Sequence, residues 1–180
     1  MLACALGRME VDEAGSPCGL EMIASADQMC RRHANEQLVR VIDGMLAQCG
    51  MKRDEVDAVL TGTGPGSFTG VRIGVATAKG VACGLEVALH GTSTLDAVAW
   101  GVWRCGVRGL VGVVGDAMRK EVYPGLYRVD DAGAHRLFAS ESVMKVPEAV
   151  ALWAGRADAG DIVLAGDGIA KYRALYEEAG

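Results

Sequence analysis

Thr61-Gly62-Thr63-Gly64-Pro65-Gly66-Ser67-Phe68-Thr69-Gly70 links a short apolar run, Asp57 to Thr61, to a segment with helical period that reaches about Cys83. Strand, glycine-rich loop and helix start, in that order, mark an α/β unit. The free N–H groups and the dipole at such a helix start can hold an anion. Two standard phosphate motifs fail against the stretch. A P-loop needs a lysine directly after its last glycine, and Lys79 lies along the helix instead. The spacing of Gly62, Gly64, Gly66 and Gly70 does not make a dinucleotide fingerprint. Two readings therefore stand: a tight turn whose glycines supply positive φ, with Ser67 or Thr69 as N-cap, or an anion cradle using Gly64, Gly66 and Ser67.

Outward from this stretch the periods alternate. Leu2, Cys4 and Leu6 suit a strand, and Leu20 to Ser25 a second, after the turn-like Gly15-Ser16-Pro17. From Gln28 to Cys49 the period is helical, with Leu38, Ile42, Met45, Leu46 and Cys49 on one face and Gly50 at the C-cap position. Beyond the loop helix, Leu85 to His90 reads as a strand, and Ser93 or Thr94 opens a helix carrying Leu95, Val98 and Val102. A second half, residues 106–180, contains strands at Leu110–Val114, Glu121–Val129 and His135–Ser140. A helix from Pro147 to Ala154, a strand at Asp161–Ala165, a turn at Gly166-Asp167-Gly168 and a last helix through Ile169, Tyr172 and Tyr176 complete it. Pro124-Gly125 predicts a bulge or an edge in its strand. The first half, residues 1–105, reads ββαβαβα and the second βββαβα. The two orders match if the first has lost its opening strand and the second its last elements. That duplicated plan predicts an α/β, actin-like (ribonuclease-H-like) fold of two similar subdomains.

The loop helix carries a further pattern. Gly70, Gly74, Ala78 and Ala82 recur every four residues as a strip of minimal side chains, although each interior glycine costs about 1 kcal/mol relative to alanine. Either the strip packs on the chain's own sheet, or it lets a partner's backbone approach closely.

Composition narrows the function. Hydrophobic residues are 51% and charged residues 23% of 180, which suits a folded globular chain. Eighteen Lys and Arg against 23 Asp and Glu give a net charge of −5, against direct nucleic-acid binding, which needs a basic face. Cys4, Cys18, Cys30, Cys49, Cys83 and Cys105 are scattered, without C-x-x-C or zinc spacing. No apolar run reaches the ~20 residues of a membrane span, so a reduced cytoplasmic protein is expected. The histidines, His33, His90 and His135, are too far apart for H-x-x-x-H or H-E-x-x-H metal sites. Ser67 lacks the G-x-S-x-G setting of a nucleophile. Asp116, after an apolar strand, is placed where acids hold Mg²⁺ in nucleotide enzymes, or where an aspartate makes a turn. Asp167, between two glycines, has the same two readings. No catalytic set and no metal site assemble from the sequence.

Gly64-Pro65-Gly66-Ser67-Phe68-Thr69-Gly70-Val71-Arg72-Ile73-Gly74, continuing through Ala76-Thr77-Ala78-Lys79-Gly80, closely resembles the signature of the bacterial TsaB (YeaZ) family. Gly91-Thr92-Ser93-Thr94-Leu95-Asp96-Ala97 is similar to that family's G-[VT]-S-T-L-[ED]-A stretch, and Asp116 to Tyr123 to its D-A-R-x-x-E-V-Y strand. Arg32-His33-Ala34-Asn35-Glu36-Gln37-Leu38 resembles its R-H-S-E-x-L helix start with one extra or altered position. The resemblance covers nearly the whole chain.

What it implies is an actin-like fold without catalysis of its own. The chain would be a subunit needed for threonylcarbamoyladenosine at position 37 of tRNAs, pairing with a TsaD-like transferase and, through the complex, a TsaE-like ATPase. Leu38, Ile42 and Met45 with Gly70, Gly74, Ala78 and Ala82 would form the partner surface, used for a homodimer when the chain is alone. ATP and Mg²⁺ would belong to the assembled complex, none to this chain alone, and tRNA would be met only through the complex. The family's opening Asp-Thr strand has no counterpart before Met1, and the end at Gly180 is early, so a longer physiological chain is expected. The rival readings are a stand-alone ATPase or sugar-type kinase, using Gly62 to Gly66 and Asp116, and a metalloprotease, against which the unpaired histidines count.

Overall fold

Alternating apolar runs and helical faces produce nine strands, five α-helices and a single 3-10 turn in the computed structural model, which describes residues 2–28, 34–140, 142–155 and 161–179. The described part of the first half runs β1 (Leu2–Val11), β2 (Pro17–Gln28), α1 (Ala34–Gln48), β3 (Ala58–Gly62), α2 (Phe68–Leu85), β4 (Ala88–Thr92) and α3 (Thr94–Arg104). The second runs β5 (Gly109–Asp116), β6 (Glu121–Asp130), β7 (Gly133–Ala139), β8 (Met144–Lys145), α4 (Val146–Ala154), β9 (Ile162–Ala165) and α5 (Asp167–Ala179). These are the expected orders with one short strand, β8, added. Three antiparallel strands followed by helix, parallel strand and helix give the actin-like, ribonuclease-H-like plan. The expected helix start between Gln28 and His33 lies largely outside the described residues, and Gln28 itself closes β2.

The chain divides into two compact units that differ from the halves of the sequence. One holds the chain up to Thr61 with Arg72–His90; the other holds Gly62–Val71 with the chain from Gly91 onward. The shift has a packing cause. Leu95 and Ala99 of α3 form one apolar cluster with Val111, Val113, Tyr127 and Val129, so α3 belongs to the sheet of the second half.

That sheet has the order β7-β6-β5-β9, with β8 also on β6. β5 is antiparallel to β6 and parallel to β9. Its residues alternate between faces: Val111 and Val113 meet α3, while Val114 joins Val122, Leu126, Val146, Ala149, Trp153, Tyr172 and Tyr176 beneath α4 and α5. Gly112 lies between them on the α4 side, where a Cβ would stand 2.8 Å from Leu164 and 3.4 Å from the Trp153 ring. The glycine makes room for the indole. Pro124 and Gly125 do not interrupt β6 as the sequence predicts. The β5 ladder runs through them, Val114 opposite Pro124 and Val113 opposite Gly125. Proline's missing N–H falls where the other neighbour of β6 changes from β8 to β7. The irregularity sits further on, between Leu126 and Tyr127.

The N-terminal unit is built on two separate two-stranded ladders, β1-β2 and β3-β4. The first turns at Asp12–Ser16, where the Asp12 carboxylate accepts from the N–H groups of Ala14 (2.9 Å) and Ser16 (2.8 Å) and Gly15 takes φ +78°. Helix α1 lies on this hairpin with Met45 and Leu46 buried, and it ends at the expected Gly50, φ +67°. Arg53, in the 3-10 turn Arg53–Glu55, grips Asp43 of α1 through two hydrogen bonds of 3.0 and 2.9 Å.

Leu126→Ala should lower the unfolding free energy by about 2–5 kcal/mol, since it opens a cavity at a fully buried core position. Urea unfolding followed by circular dichroism measures it, and a loss below 1 kcal/mol would mean that the core under α4 and α5 is not closely packed.

Candidate functional site

The glycine loop is held by its neighbours. Thr63 donates its N–H (2.8 Å) and its hydroxyl (3.1 Å) to the Thr92 carbonyl, and the Thr94 N–H donates to the Gly64 carbonyl at 2.8 Å. Gly64 is buried with φ +94°, a conformation that only glycine adopts at low cost. Ser67 caps α2: its Oγ accepts from the Gly70 N–H at 3.3 Å, and its carbonyl from the Val71 N–H at 2.9 Å. Across from it, Ser93 caps α3 through the Leu95 N–H at 3.2 Å. Of the residues expected at an anion, Gly64 and Ser67 thus have folding roles. Gly66 is exposed, and a Cβ there would meet only Val71, at 3.7 Å.

The four-residue strip on α2 divides. Gly70 is exposed and Gly74 half-buried, but Ala78 and Ala82 are only 8% and 5% exposed within this chain alone. Met45 of α1 is buried as well, whereas Leu38 and Ile42 are half-buried. Ala78 and Ala82 are thus covered by this chain itself, whereas Gly70 and Gly74 are accessible. Ala76, Gly80 and Gly84 of α2 are exposed, as Gly70 is, and Gly80 and Gly84 have nothing within 4 Å of a hypothetical Cβ. They obey the same four-residue spacing in the sequence, two positions out of phase with the buried alanines, so period alone could not choose between them.

Asp116 lies at the end of β5, and the chain beyond it takes a left-handed turn, Met118, Arg119 and Lys120 having φ of 69, 53 and 65°. Its carboxylate accepts from the Met118 N–H (2.9 Å), the Tyr172 hydroxyl (2.8 Å) and the Lys171 ammonium (2.7 Å). The Asp116 N–H donates to Asp167 at 2.9 Å, and the Lys120 N–H to the Tyr172 oxygen at 3.2 Å. Partial burial alone would raise the Asp116 pKa. The hydrogen bonds from Lys171, Met118 and Tyr172, with the Lys171 charge, outweigh it and hold the carboxyl below the ordinary range. Asp116 is thus a lock between β5 and α5, with a lysine where the Mg²⁺ reading puts a cation. Gly166-Asp167-Gly168, expected as a turn, leads directly into α5 from Asp167. Gly166, φ +119°, is pressed so closely on the Val114 carbonyl that a side chain there would collide with it. Lys171 and Tyr172 are the functional partners that the sequence did not flag; their only signal is separation, 55 and 56 residues away on a terminal helix.

A second polar cluster ties α3 to the sheet. Arg136 of β7 grips both carboxylate oxygens of Asp96, which also accepts from the buried Tyr127 hydroxyl at 2.8 Å. Burial and the Asp96 hydrogen bond raise the Tyr127 pKa, so the phenol stays a donor. Among the described residues no group of three or more His, Cys, Asp or Glu is arranged to hold a metal ion.

With this geometry established, the relatives are informative. Residues 24–175 match the TsaD family model, described as tRNA N6-adenosine threonylcarbamoyltransferase. The tRNA threonylcarbamoyladenosine biosynthesis protein TsaB of Escherichia coli (strain K12) is 33% identical over 147 residues, 79% of this chain and 63% of that protein. The protein of the same name from Bacillus subtilis (strain 168) is 28% identical over 68% of this chain and 53% of its own length. A crystal structure from Pseudomonas aeruginosa, of an uncharacterized protein with similarity to peptidase YEAZ, superposes with a TM-score of 0.71 at 27% identity, covering 98% of this chain and 74% of that one. The chain thus carries a TsaD-like domain of the actin-like class. It belongs to the TsaB/YeaZ family. It spans less than two thirds of the length of each of these TsaB proteins.

Asp116→Asn should lower stability at pH 7 by about 1.5–3 kcal/mol, the range for hydrogen bonds to a charged group. Because the folded-state pKa is depressed, this contribution is present above the unfolded value of ~3.9 and disappears as pH falls through the folded one. Urea midpoints of parent and variant should therefore converge below about pH 4; an equal gap at pH 3 and pH 7 would refute the lock.

Proposed function

We propose that this chain acts as an accessory subunit in threonylcarbamoyladenosine modification of tRNA, docking on a TsaD-type transferase that performs the chemistry. One observation carries the reading: the polar groups that a nucleotide or metal enzyme of this fold would offer are spent on the chain's own structure. Ser67 caps α2, and Asp116 accepts from Lys171, Tyr172 and the Met118 N–H. The names of the TsaB relatives support the pathway, and the TsaD family match supports a partner of like fold. A net charge of −5 favours meeting tRNA through the complex rather than directly. The complex would bring ATP, Mg²⁺ and a TsaE-type ATPase; alone, the chain would pair with a second copy. No helix among the described residues is long and apolar enough to cross a membrane, which agrees with a cytoplasmic role.

The docking surface we assign is the exposed face of α2 formed by Ala76, Gly80 and Gly84, to which we add the half-buried Leu38 and Ile42 of α1 as apolar area. Small side chains let a partner helix approach to backbone distance, at a cost in helix propensity of about 1 kcal/mol per glycine.

Sizing and calorimetry with a TsaD-type transferase should give a heterodimer. Gly80→Leu should weaken it about tenfold or more while leaving the melting temperature unchanged or raised, since the position is open and leucine favours helix. Ala82→Leu should instead destabilise the chain by about 1–3 kcal/mol through overpacking. Tight Mg²⁺-dependent ATP binding or turnover by the isolated chain would overturn the accessory role.

A further inference from the structure

Three consecutive residues that carry side chains, Met118, Arg119 and Lys120, hold φ of 69, 53 and 65°. A Cβ makes this left-handed backbone costly; glycine takes it freely, and asparagine more readily than most other residues. A strained run persists only where its surroundings over-determine it, and such runs gather at ligand contacts. This one is fixed from several sides. The Met118 N–H donates to Asp116 at 2.9 Å, the Ala117 N–H to the Glu121 carbonyl at 3.0 Å and the Glu121 N–H to the Met118 carbonyl at 2.9 Å. The Tyr172 hydroxyl clasps the turn from α5, accepting from the Lys120 N–H at 3.2 Å and donating to Asp116 at 2.8 Å. Helix α5 leaves helical geometry at that same residue, with φ −120° and ψ 22°.

The strain supports side chains that the fold does not use. Met118 is 62% exposed, and Arg119 and Lys120 are exposed. Among the described residues neither cation is paired with a carboxylate. Asp116, which ends β5 just before the turn, is already taken by Lys171 at 2.7 Å.

We propose that this clasped turn is a phosphate contact, through which Arg119 and Lys120 touch the RNA backbone in the assembled complex. The inference rests on the function proposed above. An ion pair between exposed side chains of two proteins contributes little. A cation on an RNA phosphate also releases condensed counterions, so the same two charges gain more on a polyanion than on an acidic protein surface. The net charge of −5 does not oppose a local contact, because charges are screened beyond a Debye length of about 8 Å at physiological salt. Fixing the turn in advance removes the ordering of its backbone from the cost of binding. Tyr172 is a positioning residue: it holds the backbone that carries the cations.

The test titrates an unmodified tRNA transcript into the heterodimer of this chain with a TsaD-type transferase across a range of salt, and into the chain alone at low ionic strength. Arg119→Asn combined with Lys120→Asn removes both charges but keeps residues that accept the left-handed backbone, so its melting temperature should equal or exceed the parent's. Its RNA affinity should fall about tenfold or more, and the salt slope of log affinity should shrink by roughly 1.4–2. Arg119→Lys combined with Lys120→Arg should retain most of both. Tyr172→Phe leaves the cations in place and should weaken RNA binding about threefold, with heterodimer yield unchanged. Unchanged affinity and slope in the asparagine variant would overturn the proposal. So would a loss of heterodimer in place of RNA, which would put the cations against an acidic protein surface, or a parent that binds no RNA in either setting. A parent that binds RNA but forms no heterodimer refutes the docking reading instead, and the contact is then decided by whether the asparagine variant lowers the affinity of the chain alone.

Discussion

A strand in the middle of an α/β sheet must be satisfied on four sides at once: two hydrogen-bonded edges and two covered faces. β5 meets that demand completely. β6 and β9 take its edges, α3 covers Val111 and Val113, and α4 with α5 covers Val114. Most of what is ordered in the C-terminal unit follows from it. Gly112 is small because Trp153 crosses there, Gly166 because α5 starts against the Val114 carbonyl, and Asp116 ends the strand by tying it to α5. In the N-terminal unit the described strands pair only two by two, and Met9, Val11, Leu20 and Met22 of its hairpin are exposed.

The distribution of polar groups bears on function in the same physical terms. A carboxylate that accepts from an ammonium, a phenol and a backbone N–H has few lone pairs left for a metal or a nucleotide. The fold therefore retains the frame of a nucleotide enzyme while its acids work as braces. Arg136, Asp96 and Tyr127 repeat the theme, an ion pair and a buried hydroxyl fastening α3 to the sheet. The exposed surface of α2 combines backbone and a methyl group at Ala76, Gly80 and Gly84 with the side chains of Phe68, Arg72, Lys79 and Cys83.

Much of this was legible in the sequence. The order of elements, the Ser67 and Ser93 caps and the Gly50 stop follow from local rules, because capping and positive φ are decided within a few residues. The division into units was not, since α3 joins the second sheet through Leu95 and Ala99, whose partners are contacts distant in sequence. Pro124 misled because a proline is tolerated inside a strand where the neighbouring strand changes, a circumstance that only the pairing of β7 and β8 creates. On α2 the period of four was correct, but it describes two interleaved sets of small residues. Burial of Met45, Ala78 and Ala82, rather than spacing, separates the inward set from the outward one.

The placement of the indoles has a practical consequence. Trp100, Trp103 and Trp153 are the three tryptophans of the chain, and all fall in the unit that contains β5. Intrinsic emission is accordingly a private signal of that unit: Trp153 reports from a dry interior, and the Trp100–Trp103 pair, 5.3 Å between centroids, from the α3 surface. The other unit has no tryptophan, so one engineered there would give each unit its own optical channel.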